Sequence, residues 1–156
     1  MKRCTLLAIA IGLLTLAIDQ ASKLWILRTF SLGESRPLIT GLFNLSYVQN
    51  RGAAWGIFQG SQLPLAIMAL LAIVLFCLFW KQIFGPRPSN LPILGLLIGG
   101  ILGNLIDRLC RGYVIDFLHV HFRTWNFPCF NIADSAICTA VAIFLLLQFL
   151  HRDNAH

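Results

Sequence analysis

The sequence predicts an all-α polytopic membrane protein with four transmembrane helices and a small extracytoplasmic β-rich platform. Three observations carry this reading. Of the 156 residues, 58% are hydrophobic and only 12% charged, where a soluble domain carries about 25% charged. Four apolar runs stand at about 5–27, 63–80, 91–106 and 132–150, and at about 1.5 Å per residue such runs are of the length that crosses a hydrocarbon core. Between the first two lies a different kind of segment, 28–62, in which Gly33, Pro37, Gly41, Gly52, Gly56 and Gly60 break any helix. The chain reads as one membrane-embedded domain, 1–156, with extracytoplasmic segments 28–62 and 107–131.

The first run opens on Lys2 and Arg3 and imitates a secretory signal. No small-residue cleavage site follows, however, and the helical pattern continues through Leu24-Trp25-Ile26-Leu27, so it reads as a retained anchor. Asp19 and Lys23 stand four apart near its outer end, the spacing of an ion pair on one helix face. In the following segment, Leu42–Val48 alternates as a strand does. Asn50-Arg-Gly-Ala-Ala-Trp-Gly56 comes next. Its small residues allow a close backbone approach, Arg51 is suited to a phosphate or carbonyl, and Trp55 to an interfacial anchor. The second run carries Pro64 in its first turn, where a missing N–H costs nothing. Gly85–Asn90 makes a tight basic connection to the third run.

That third run carries Gly95, Gly99 and Gly103 at intervals of four, the small-residue stripe that lets helices pack closely in lipid. Gly100, Asn104, Asp107 and Arg108 fall on an adjoining face, where polar groups need protein partners because lipid supplies none. Gly112 ends this helix, and Tyr113–Phe122 reads as extended, with His119 and His121 on one strand face and no third metal ligand in view. Asn131 then caps the fourth helix, placing Asp134 at its third position.

Basic residues set the orientation. The N-terminus, the 81–90 loop and the tail hold five Lys or Arg in about 20 residues, and the two longer segments hold six in about 60, which puts both termini in the cytoplasm. The net charge of +6 is spread along the chain rather than clustered on one face, which argues against nucleic-acid binding. The five cysteines follow no zinc spacing, although Cys110 and Cys129 could meet outside the membrane. No HExxH, P-loop, GxSxG or GxGxxG pattern is present, and no cofactor is expected.

Two carboxylates stand out. Asp134 at a helix start is favoured in its ionised form. Asp116 lies in an otherwise apolar strand, where desolvation raises a carboxyl pKa. Brought together, two such groups share one proton, and the pair then serves as general base for water and general acid for a leaving amide nitrogen. A proton-relaying transporter is the rival from another class. Against it, the polar residues gather at one face and no inverted repeat is apparent.

These residues resemble the lipoprotein signal peptidases, or signal peptidase II. The resemblance rests on Asp19-Gln-Ala-Ser-Lys23, Asn50-Arg-Gly-Ala-Ala-Trp-Gly56, Gly100-Ile-Leu-Gly-Asn104-Leu-Ile-Asp107-Arg108, Gly112-Tyr-Val-Ile-Asp116-Phe117 and Phe130-Asn131-Ile-Ala-Asp134, in this order and over nearly the whole chain. It implies a membrane aspartic endopeptidase of the bacterial inner membrane, with its active site on the extracytoplasmic side. Such an enzyme removes signal peptides from diacylglyceryl-modified prolipoproteins just before the lipidated cysteine. By the same resemblance Asp116 and Asp134 match the catalytic pair, and Asn50 and Arg108 match residues holding substrate or globomycin-type inhibitors. Asp19, Lys23, Asn104, Asp107 and Asn131 match the supporting polar shell, with Asn104, Asn131 and Gly52 also beside the substrate. Trp55 stands where phenylalanine is common. Besides substrate, membrane lipid is the expected partner, and nothing demands more than a monomer.

Overall fold

The protein is described from a computed structural model, which describes residues 1–52, 60–85 and 87–153, the last three by backbone only. Its helices are α1 (Lys2–Thr29), α2 (Gln62–Leu78), the short α3 (Trp80–Phe84), α4 (Leu91–Arg111) and α5 (Ile132–Asp153). Its strands are β1 (Ser35–Ile39), β2 (Phe43–Asn50), β3 (Val114–Phe122) and β4 (Trp125–Asn126), which form one antiparallel sheet in that order.

Among the described residues, three helical segments are long and apolar enough to cross a membrane: Lys2–Thr29, Pro88–Arg111 and Ile132–Leu150. The single span expected over 63–80 is instead the 17-residue apolar α2, an interruption at Phe79, and α3. The third helix outlasts its expected end, running to Arg111 before Gly112 closes it in the left-handed conformation at φ 74°. Residues 107–111 are therefore helical, and the extended return begins after them. The strand expected at Leu42–Val48 is β2, and Tyr113–Phe122 is β3. Ala53–Gly56 lie outside the described residues.

The glycine stripe of α4 packs as its spacing predicts. A Cβ at Gly95 would run into the Ala8 carbonyl of α1, and one at Gly99 would lie 2.5 Å from the Gly12 carbonyl. One at Gly100, on the next face, would lie 2.7 Å from the Ala133 carbonyl of α5. Side chains larger than hydrogen would push both neighbours away, so the glycines set the approach of α1 and α5 to the central α4. Polar groups from three helices thereby come within hydrogen-bonding range.

Two apolar clusters fix the ends. Ile26 of α1 and Phe30 just beyond its end pack against Tyr47, Ile115 and Phe117, which seats the sheet on the end of that helix. Phe84, Ile93, Leu94, Leu97 and Ala140 join α3, α4 and α5 at the other end. The remaining helix surfaces are apolar and exposed, including Leu6, Leu13, Met68, Leu145 and Phe149, as suits a lipid-facing surface.

Substituting Gly95→Val should lower stability in detergent by about 1–3 kcal/mol, the cost of overpacking a close contact. Exposed Leu146→Ala should change it little. Thermal unfolding of the purified variants measures both.

Candidate active site

The polar residues of α1, α4 and α5 meet where these helices run into the sheet. Lys23 is fully buried, and its ammonium lies 2.8 Å from Asp19 and 2.9 Å from Asp107, both fully buried. A charge so enclosed persists only when paired and hydrogen-bonded. The expected Asp19–Lys23 pair is therefore one edge of a larger cluster, which Arg111 completes by an ion pair with Asp107. Gln20 donates to the Gly103 carbonyl at 3.1 Å and to Asp19 at 3.2 Å. Each cluster carboxylate also serves the backbone of a neighbouring element. Asp19 accepts from the Ala133 amide in the first turn of α5, at 2.9 Å, and Asp107 accepts from the Ile115 amide of β3, at 3.2 Å.

From this cluster, amides lead to the two carboxylates singled out in the sequence. Lys23 donates to Asn104 Oδ1 at 3.0 Å, which turns the Asn104 amino group toward Asp134 Oδ1, 2.7 Å away. Asn131 caps α5 reciprocally: its Oδ1 accepts from the Asp134 amide at 3.0 Å, while its own amide donates to Asp134 Oδ2 at 3.1 Å. The Asn131 amino group donates to Asp116 Oδ1 at 2.7 Å and to Asn104 Oδ1 at 3.1 Å. Asn50 donates to Asp116 Oδ2 at 2.9 Å. That contact follows from register: Val48 pairs with Asp116 and Asn50 with Val114, so Asn50 is a diagonal neighbour on the same sheet face.

Asp116 and Asp134 open onto one cleft of about 730 Å³, whose walls include Asn50, Arg51, Asn104 and Arg108. Burial pushes the Asp116 carboxyl up to about 7, and the nearby charge of Asp134 adds to this against the opposing hydrogen bonds of Asn50 and Asn131. Burial, and after it the charge of Asp116, push the Cys129 thiol on the cleft wall up to about 11. Arg108 reaches the Asn104 carbonyl at 3.3 Å and the Gly52 carbonyl at 3.5 Å. Its Nε is buried without a hydrogen-bond partner among the described residues, which leaves a donor for something in the cleft.

All ten site residues proposed from the sequence thus fall in one region: Asp19, Lys23 and Asp107 in the ion cluster, Asn50, Gly52, Asn104, Arg108 and Asn131 between it and the cleft, and Asp116 and Asp134 at the cleft itself. Arg111 was missed, although its spacing of four from Asp107 signalled it. His119 and His121 have ring centroids 5.5 Å apart, and neither lines the cleft. The five cysteines, Cys110 and Cys129 among them, are free thiols.

The sequence model described as signal peptidase (SPase) II matches residues 11–150. The chain belongs to the signal peptidase II family. It is accordingly a membrane peptidase, of a family that cleaves lipoprotein signal peptides. Among solved structures it is similar to a bacterial membrane enzyme determined by the in meso method at 2.3 Å, with 31% identity over 92% of this chain and 87% of that one and a TM-score of 0.82. A second bacterial membrane enzyme structure, at 1.9 Å, matches with 31% identity over 92% of each chain and a TM-score of 0.79.

Replacing Lys23 with Met should destabilise the protein by about 3–5 kcal/mol, because it strands buried carboxylates without their shared partner. Comparison of its thermal unfolding with that of the wild type in the same detergent provides the measurement.

Proposed function

We propose that this chain is an aspartic endopeptidase that hydrolyses the peptide bond preceding a diacylglyceryl-modified cysteine in bacterial prolipoproteins, with Asp116 and Asp134 as the catalytic pair. The observation that carries this is the convergence of the two carboxylates on one cleft, tied together through Asn131 and Asn104.

In this reading Asp134 is the base, its charged form favoured by the helix N-terminus and by two N–H donors, the Asn104 amino group and the Asn131 backbone amide, one on each carboxylate oxygen. Asp116, up to about 7, carries the proton at and below neutral pH. A water between them loses a proton to Asp134 as its oxygen attacks the carbonyl carbon. Asp116 gives its proton to the amide nitrogen, the C–N bond breaks, and a new carboxyl and a free amine result. Proton transfer from Asp134 then restores Asp116. Arg108, with its unused Nε, holds a substrate carbonyl or the developing oxyanion. Asn50 lines the same cleft, its Oδ1 held by the Gly52 amide, whereas fully buried Asn131 acts on the carboxylates and not on the substrate.

In this reading α2, despite its 17 residues, is the fourth span beside α1, α4 and α5. Both termini are in the cytoplasm, and the sheet and cleft lie on the extracytoplasmic side of the inner membrane. Substrate arrives from the bilayer, globomycin-type inhibitors occupy the same cleft, and one chain contains the whole site.

Asp116→Asn and Asp134→Asn should each lower kcat by about 10²–10⁴-fold, the span attributed to a general acid or base, with thermal unfolding preserved. Cleavage of a diacylated preprolipoprotein by purified protein in detergent, followed on gels, is the assay; turnover surviving either change contradicts the assigned roles. The pH dependence has a definite sign. Asp116 is protonated below its pKa of about 7 and ionised above it. Activity should therefore fall as pH rises through about 7, approaching tenfold per unit, in a kcat profile measured from pH 5 to 9.

A further inference from the structure

We propose that His119 and His121 form an accessory site for a borderline divalent cation of the zinc class, on the face of the sheet turned away from the cleft, where the ion ties the β3–β4 turn to the rest of the sheet.

Strand alternation places the two imidazoles side by side. The irregularity in the β2–β3 pairing puts its extra residue in β2, between Leu45 and Val48, so β3 alternates without a break. His119 and His121 therefore share the face of Ile115 and Phe117, which pack against the end of α1, opposite the face of Asp116. Past the helix end this face is only partly covered, and both histidines are half-buried.

The ring separation fits a shared ion. With Zn–N at about 2.0–2.1 Å and the ring centre about 1.2 Å behind the nitrogen, two imidazoles on one tetrahedral ion have centroids about 5.2 Å apart. The observed separation is 5.5 Å. Offset aromatic pairs span about 4.5–7 Å, so the distance alone does not decide for a metal. Two further observations do. His121 Nε2 is buried with no hydrogen-bond partner among the described residues, and a buried ring nitrogen calls for a partner, whether water or ion. Each histidine also faces a carboxamide across the sheet: Asn44 pairs with His119 and Asn126 with His121. Directly opposite residues have Cβ atoms about 4.5–5.5 Å apart, which brings both carboxamides within reach of the same ion. Imidazole nitrogen joined by carboxamide or water oxygen suits Zn²⁺, Cu²⁺ or Ni²⁺ rather than Mg²⁺ or Ca²⁺. Among the described residues no third His, Cys, Asp or Glu joins the pair. The remaining positions fall to Asn44, Asn126 or water, and the ion is an exchangeable one.

The ion has something to hold. Strand β4 pairs with β3 at only two positions, His121–Asn126 and Phe122–Trp125. The turn between them runs through Arg123 at φ 53°, a conformation that non-glycine residues rarely adopt. An ion shared by His119, His121 and Asn126 adds a tie across this short ladder. Phe127, which follows directly, lines the cleft, so the tie steadies one cleft wall from the far side of the sheet.

The probe is Zn²⁺, titrated calorimetrically into full-length protein in detergent, purified without a histidine tag, with Mg²⁺ as the control. Wild type should take up one zinc ion whose affinity falls at least about tenfold in His119→Gln and in His121→Gln, since even loss of a ligand's outer partner costs about 10–100-fold. Asp116→Asn and Cys129→Ser should leave it within about twofold, which separates the pair from the cleft carboxylates and thiol, and Mg²⁺ should not bind. A second measurement keeps both ligands. In protein carrying His151→Gln and His156→Gln, whose remaining two histidines are the pair, nitrogen NMR should show both imidazoles shifting together as zinc is added. Amide hydrogen exchange over 121–127 should slow with zinc in wild type and stay unchanged in His121→Gln. No zinc uptake, uptake that survives either histidine substitution, or a shift in one imidazole alone would overturn the site. Uptake that leaves exchange at the turn unaltered would overturn its bracing role.

Discussion

The Lys23 ammonium, sealed between the Asp19 and Asp107 carboxylates, is the interaction on which the rest of the structure depends. An isolated charge in that position would be untenable. The pair of carboxylates would be equally so without Lys23 and Arg111. Two anions and two cations balance, so the cluster can stay folded inside apolar surroundings. Its members come from α1 and α4, and its spare hydrogen-bonding capacity is spent on other elements: the first turn of α5 through Ala133, β3 through Ile115, and the Asn104 amide. The close approach of the helices, which requires glycine at 95, 99, 100 and 103, makes the cluster possible. The cluster in turn holds the amides that orient Asp116 and Asp134.

Environment divides the labour between those two carboxylates. Asp134 sits in a reciprocal cap at a helix start, with N–H groups on both oxygens. Asp116 sits on an otherwise apolar strand and is 2% exposed, with Asn50 and Asn131 donating to it. Side-chain chemistry is the same in both; burial and backbone geometry set them apart. In the proposed mechanism this asymmetry assigns the base and the acid without any further group.

Much of this was legible in the sequence where the cause is local. The four-residue glycine interval in α4, the Asn131–Asp134 cap and the apolar extended run around Asp116 are each local features of the sequence. So is the Asp19–Lys23 pair. What was not legible depends on tertiary contact. Lys23 reaches Asp107 across 84 positions, and no local pattern shows that one lysine serves two carboxylates. The interruption at Phe79 was hidden because Phe79 and Trp80 are as acceptable in a helix as their neighbours. Strand β1 was obscured by Pro37, tolerated there because β1 is an edge strand, exposed along its whole length. The continuation of α4 to Arg111 was missed because polar residues after Ile106 looked like a membrane exit, whereas their partners lie inside the protein. The resemblance to signal peptidase II linked these scattered polar residues before the fold could.

The account stands on Asp116 and Asp134 forming one electrostatic unit at a shared cleft. The most direct measurement is the titration of the Asp116 carboxyl carbon by NMR on aspartate-labelled protein in detergent, in the wild type and in Asp134→Asn. The account predicts a wild-type midpoint of about 7. It also predicts a lower midpoint in the variant, still above the ordinary carboxylate range because burial, the larger cause, is unchanged. A midpoint that ignores the charge at position 134 would show that the two acids do not act together, and the dyad would be contradicted.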